Sequence, residues 1–166
     1  LHTLEDLGYY CIDNLPAGLL ETVVDEIVLH GDPSIDLLAV GIDARNRPAD
    51  LAALPALIRN FRARDIATDV LFIQAGKDVL LKRYSETRRR HPLAPAETPG
   101  IGIEREFDLL GPVRARADIL IDTSDFTLHD LRAEISLLPQ QGILFEGTIL
   151  ENMTLHREGE AVHQAI

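Results

Sequence analysis

Three apolar runs constrain this fold more than any other feature. "IDLLAVGID" (35–43), "DVLFIQA" (69–75) and "DILIDTS" (118–124) are rich in Val, Ile, Leu, Phe and Ala, and each has a polar residue at or next to its end. A strand with one wet face alternates apolar and polar residues; a strand covered on both faces does not. Such runs predict a parallel sheet with helices on both faces. The segments between them supply the helices. Leu19, Leu20, Val23, Val24, Ile27 and Val28 recur at helical spacing after Pro16 and before Gly31. Leu54, Leu57, Ile58 and Phe61 do so again, with Pro55 expected to delay the start. Residues 78–90 and 103–117 predict two more helices, the second bent at Gly111–Pro112. Thr127 and Asp130 have capping-box spacing ahead of another. At the front, "LHTLEDLG" reads as a helix tail stopped by Gly8, and "YYCID" as a short strand. The alternation predicts an α/β domain.

The 166 residues are 46% apolar, enough for a core, and carry a net charge of -11. That charge argues against broad nucleic-acid binding, which needs excess Lys and Arg. No apolar run nears the ~20 residues of a membrane span, so membrane insertion is not expected. The single cysteine, Cys11, lies in an apolar strand and reads as core. With no internal disulfide, a cytoplasmic setting is expected. The first residue is Leu, so the chain is expected to be a fragment, a processed product or an incomplete reading frame.

Candidate site residues gather at strand ends. In parallel sheets, ligands collect beyond the carboxyl ends of the strands. Asp43 closes the first long run, and "DARN" (43–46) adds Arg45 and Asn46 there. Asp43 reads either as a Mg²⁺ holder, directly or through water, or as the cap of the next turn. Asp13 and Asn14, and likewise Asp122, Thr123 and Ser124, are placed in the same way. "RYSETRRRHPL" (83–93) concentrates Arg83, Arg88, Arg89 and Arg90 in an acidic chain. On one helix, Arg83 and Arg90 would share a face. The run reads as a lid over phosphates, since Arg matches phosphate with a bidentate fork, or as a solvated helix face. His91 before Pro92 reads as a shaper of the helix end. The six histidines show no metal-ligand spacing.

"LEDLGYYCIDNLP", "GIDARN", "RYSETRRRHPL" and "RADILIDTSDFTLHDLR", in that order, closely resemble the N-terminal domain of the RapZ/YvcJ family over residues 1–135. The resemblance implies a P-loop NTPase-like, kinase-like fold that binds ATP or GTP with Mg²⁺ and is at most a weak NTPase. Its nucleotide-binding tetrad Asp-x-Arg-Asn matches Asp43, Ala44, Arg45 and Asn46. It strengthens the lid reading and casts Asp43 as a Walker-B-like acid. Enterobacterial members are RNase adapters; RNA binding is not expected of this fragment, whereas a protein partner fits. The family begins with a strand and a Walker A loop, so the chain is expected to lack its central strand and phosphate cradle, and its nucleotide binding is expected to be impaired. A competing reading is a non-catalytic scaffold or interaction module.

After Ile135 the texture changes. "ISLLPQQGILFEGTILENMTL" resembles the Q-loop region of an ABC-transporter ATPase domain, with Gln140 at the Q-loop glutamine. Residues 136–166 are thus expected to be a separate segment of an apparent chimera, packed on the sheet edge or mobile. An ABC ATPase fragment is the third reading.

Overall fold

The computed structural model of the chain describes residues 1–30, 35–87, 90–137 and 143–147. Five strands form one parallel sheet: β1 (Tyr10–Ile12), β2 (Leu38–Ile42), β3 (Asp69–Gln74), β4 (Ile119–Asp122) and β5 (Ile143–Gly147). Their spatial order is β1-β2-β5-β3-β4. The helices are α1 (His2–Glu5), α2 (Leu20–His30), α3 (Pro48–Ala63), α4 (Lys77–Thr87), α5 (Pro99–Arg114) and α6 (Leu128–Ile135). A 3-10 turn, Ala17–Leu19, precedes α2.

Two of the three apolar runs, β2 and β3, are covered on both faces, as their composition predicts; β4 is an edge strand with Leu120 exposed, so its run is covered on one face only. Val40, Ile42, Val70 and Phe72 pack with Leu20, Val24, Leu51, Leu54, Ile58, Phe61, Leu110 and Val113 from α2, α3 and α5. The alternate residues Ala39, Leu71, Ile73 and Ile121 pack with Leu4, Leu131 and Ile135 from α1 and α6. A third cluster, Ala75, Leu80, Tyr84 and Ile103, joins α4 to α5 beyond the end of β3.

Several local signals act as read. Gly8 follows α1 with φ +89, a left-handed position suited to glycine. The Thr127 hydroxyl accepts from the Asp130 N–H at 3.2 Å, and the Asp130 carboxylate accepts from the Thr127 N–H at 2.8 Å. That is the reciprocal capping box of α6.

Three expectations change. Pro55 does not delay α3, which starts at Pro48 and runs through it. An interior proline costs about 3 kcal/mol, but Leu51, Leu54, Ile58 and Phe61 are all buried from the same helix, at roughly 1.5–3 kcal/mol each. Burial wins. Next, α4 ends at Thr87, so Arg83 and Arg90 do not share a helix face. The chain leaves the helix before Pro92, and the buried His91 ring docks against Gly102 of α5 instead. Last, β5 lies within the segment expected at the sheet edge, yet it pairs with β2 on one side and β3 on the other. The sheet therefore has a central strand. Without β5, β2 and β3 would face each other with unpaired N–H and C=O groups inside the fold, which is costly. A parallel strand delivered by the α6 crossover satisfies both edges.

Candidate functional site at the carboxyl ends of the strands

The tetrad at the end of β2 is a closed knot with one open side. Asp43 is fully buried. Its Oδ1 accepts from the Arg45 backbone N–H at 2.8 Å. Its Oδ2 accepts from Arg45 Nε at 2.7 Å and lies 2.5 Å from Nη2. The carboxylate thus holds the guanidinium as a fork. This bond raises the Arg45 pKa further above its ordinary value, while partial burial works the other way. Ala44 turns inward and is buried in the main core. Asn46 donates from Nδ2 to the Asp43 carbonyl at 3.0 Å, and its Oδ1 accepts from the Ala17 N–H at 2.6 Å. One side chain thereby ties the strand end to the opening N–H of the 3-10 turn, a donor that has no partner within its own helix.

Of the four residues, Arg45 is the one that presents charge outward: its side chain is 46% exposed. It lines an open cavity of about 340 Å³ with Asn14, Pro16, Gly18, Asn46 and Arg47. Asn14 reaches it from the end of β1 through a left-handed backbone, φ 51, which asparagine tolerates better than most residues.

The end of β4 is arranged differently. Asp122 Oδ1 accepts from the Ser124 N–H at 2.9 Å and from its hydroxyl at 2.5 Å; Oδ2 accepts from Gln74 Nε2 at 3.0 Å. Burial would raise the Asp122 pKa, but these bonds and the nearby Arg114 charge outweigh it and hold it below the usual carboxylate value. Ser124 Oγ also accepts from the Gly76 N–H at 2.8 Å, linking the turns after β3 and β4. A wider groove of about 690 Å³ runs alongside, lined by Gln74, Gly76, Lys77, Phe107, Arg114 and Asp122.

The arginines of the expected lid divide. Arg83 donates from Nη2 to the Thr123 carbonyl at 2.8 Å and from Nη1 to its hydroxyl at 3.2 Å, anchoring α4 to the end of β4. Arg90 makes a long contact from Nη1 to the Pro95 carbonyl at 3.4 Å. Arg88, Arg89 and Gln140 lie outside the described residues.

Sequence reasoning missed a buried polar joint beneath this segment. His91 Nε2 donates to Glu106 Oε2 at 3.0 Å, while Nδ1 accepts from the Leu93 N–H at 3.2 Å. Both residues are buried. Burial lowers the His91 pKa, in keeping with a neutral ring that donates at one nitrogen and accepts at the other. Its ring lies 4.9 Å from that of Tyr84. One signal was present in the sequence: Glu106 falls on the apolar stripe Ile103, Leu110 and Val113. A carboxylate on a buried stripe needs a partner.

Cys11 is half-buried, and burial pushes its thiol up to about 11, as suits packing rather than reactivity. Among the described residues no group of three His, Cys, Asp or Glu side chains is placed to hold a metal. No helix among them is long and apolar enough to cross a membrane.

Comparison with known proteins places this geometry in a family. The model of the RapZ-like N-terminal domain matches residues 1–139. The chain belongs to that family. It is 47% identical over 150 residues to a protein of Pseudomonas putida GB-1 named as a nucleotide-binding protein, covering 87% of this chain and 53% of that one. It is 50% identical over 137 residues to a nucleotide-binding protein of Halorhodospira halophila, covering 82% of this chain and 48% of that one. A nucleotide-binding protein of Cereibacter sphaeroides is 49% identical over 138 residues, covering 82% and 44%. The chain spans about half the length of these curated relatives. The family match takes in the tetrad, the arginine segment and the end of β4.

Proposed function

We propose that this chain binds a nucleoside triphosphate, ATP or GTP, with Mg²⁺ at the carboxyl edge of its sheet, on a P-loop NTPase-like, kinase-like fold. The observation that carries the reading is the Asp43–Arg45 fork. A fully buried carboxylate holds a guanidinium rigid at a strand end, where it faces an open cavity. Arg45 keeps N–H donors beyond those given to Asp43, and a pre-oriented guanidinium loses little freedom on gripping a phosphate. The printed names of the relatives, nucleotide-binding proteins, support the same class of ligand. Arg83 braces α4 against Thr123 rather than reaching outward on its own; Arg90 is the exposed cation of the described segment.

The Asp43 carboxylate fits Mg²⁺ as an outer acceptor. Arg45 takes two donor positions on Oδ2 and one on Oδ1. A carboxylate offers about four such positions, so one on Oδ1 is left over; because Asp43 is fully buried, a metal-bound water would reach it only where the side chains around it part. When bound, the ion would neutralise charge on the phosphates. The reading is of a binder, in a cytoplasmic setting; with a net charge of -11, RNA is not proposed as a partner of this chain.

The test is a thermal melt with saturating Mg·ATP and, separately, Mg·GTP. Ligand at about 100 times its dissociation constant stabilises the folded state by roughly 2.7 kcal/mol. A rise in midpoint that Arg45→Ala abolishes is the expected result. No rise with either nucleotide would sink the reading and leave the scaffold alternative.

A further inference from the structure

Arg47, the residue after the tetrad, has no part in the reading so far beyond lining the cavity. It repeats the arrangement of Arg45. Arg45 meets Asp43 through Nε at 2.7 Å and Nη2 at 2.5 Å. Arg47 meets Asp50 through Nε at 2.7 Å and Nη2 at 3.1 Å. Each carboxylate takes the same edge of its guanidinium. Each Nη1 is left with no partner among the described residues.

The two forks lie on one cavity of about 340 Å³. Its lining has two cations and one acid, Asp50, whose oxygens both accept from Arg47. In a chain with a net charge of -11 that lining is a local exception, and it favours anions. The walls are fixed to one another. Asn46 ties the tetrad to the 3-10 turn through the Ala17 N–H. The next residue, Gly18, lies against the Arg47–Asp50 fork: a Cβ there would be 3.3 Å from Asp50 Oδ2 and 3.4 Å from Arg47 Nη2, a tight fit. Bare backbone lets the fork close onto the turn. The Arg47 side chain is 81% exposed, and an exposed ion pair adds little to stability. Here the fork and the glycine hold the guanidinium in one orientation, so it loses less freedom on binding. Ligand pockets span about 300–1,000 Å³, and this one is at the small end. It suits the phosphate portion of a nucleotide rather than the whole of it.

We infer that this cavity grips two adjacent phosphoryl groups of the ligand, one on Arg45 and the next on Arg47. Each guanidinium presents its free donors to its own anionic group. Arg47 is then the residue that separates a di- or triphosphate from a monophosphate. The inference rests on the nucleotide reading and adds a contact outside the tetrad.

The experiment titrates wild type, Arg47→Ala, Arg47→Lys and Arg45→Ala with Mg·ATP, Mg·GTP, inorganic pyrophosphate and inorganic phosphate, alongside melts without ligand. Wild type should bind pyrophosphate at least about tenfold more tightly than phosphate, since the second group adds its own charged hydrogen bonds. Loss of those bonds predicts a roughly ten- to hundredfold weaker affinity of R47A for pyrophosphate and for both nucleotides. The preference for pyrophosphate over phosphate should then shrink to near parity. R47K, a cation without the fork, should recover only part of the loss. The ligand-free midpoint of R47A should stay near that of wild type; a clearly lower one makes Arg47 structural and overturns the contact. Wild-type affinity of R47A for pyrophosphate and nucleotides also overturns it, while a loss confined to Arg45→Ala leaves the nucleotide reading standing. Equal wild-type affinities for phosphate and pyrophosphate overturn the assignment of two phosphoryl groups. Full recovery in R47K overturns the fork. Failure of wild type to bind either nucleotide or pyrophosphate overturns both readings.

Discussion

Asp43 stands just past the end of β2 and Asp122 ends β4, at the same carboxyl end of one sheet with β5 and β3 between them, yet the first is fully buried and the second faces solvent. The residue two positions on accounts for much of the difference. Arg45 returns a guanidinium to Asp43, so the carboxylate can be buried with its charge matched. Ser124 returns an N–H and a hydroxyl to Asp122, which suits a turn at the surface. One acid aims a cation; the other shapes a loop. A strand-end acid is therefore a position, and its partner decides its task.

The sharpest way to break this comparison is to remove each acid in turn. Asp43→Ala takes away the acceptor of a charged fork and should cost about 2–3 kcal/mol, together with the nucleotide-dependent rise in midpoint. Asp122→Ala, at an exposed site, should cost about 1 kcal/mol or less. Equal losses in chemical denaturation would show that burial does not separate the two ends.

Gly102→Ala probes what backs the β4 side. An added Cβ would sit 2.3 Å from the His91 ring, which is itself buried. Overpacking costs roughly 1–3 kcal/mol, against about 1 kcal/mol gained in helix propensity. So deep an overlap places the cost at the upper end, and a lower denaturation midpoint is expected. A midpoint at or above wild type would mean that the His91 segment moves aside freely.

Acid titration separates the two regions by pH. Burial lowers the folded His91 pKa below its ordinary 6.5, so the unfolded chain binds the extra proton. This contribution is complete above pH 6.5 and is lost as pH falls below it toward the folded value. The Asp122 pKa is also lowered, from 3.8, so that contribution persists until pH approaches 4 and is lost below. Midpoints measured from pH 7.5 to 5 should therefore fall in wild type and flatten in His91→Asn, while Asp122→Ala leaves that stretch unchanged. The same slope in wild type and His91→Asn would remove the buried joint from the account.

The smallest effect is expected from Ser124→Ala, which breaks the bridge from Asp122 to the Gly76 N–H at a solvent-facing turn. A loss of about 0.5–1 kcal/mol in the unfolding free energy is expected, in line with a single net hydrogen bond. A loss approaching that of Asp43→Ala would make the β4 end as tightly built as the β2 end.

Much of this molecule was legible locally. The parallel sheet, the helices that flank it, the Gly8 stop and the Thr127–Asp130 box all rest on interactions within a few residues or on hydropathy along one segment. Those signals survive translation from string to structure because the groups that make them are neighbours in the chain. The Asp43–Arg45 fork is nearly as local, and its position at a strand end marked it as a candidate site.

What the amino-acid order alone determined, then, is which segments form which elements and where acids and arginines fall along them. Tertiary structure decided the partners. It carried α3 through Pro55, because burial of four side chains outweighs one missing backbone bond. It turned Arg83 onto Thr123, forty residues away, and His91 onto Glu106 across a helix packing contact. It set β5 between β2 and β3, where two open strand edges needed a ladder. And it left the Tyr84 hydroxyl buried without a hydrogen-bond partner among the described residues. Hydrophobic periodicity is a property of a segment and can be read from it, whereas the pairing of buried polar groups depends on which surfaces meet once the chain has packed.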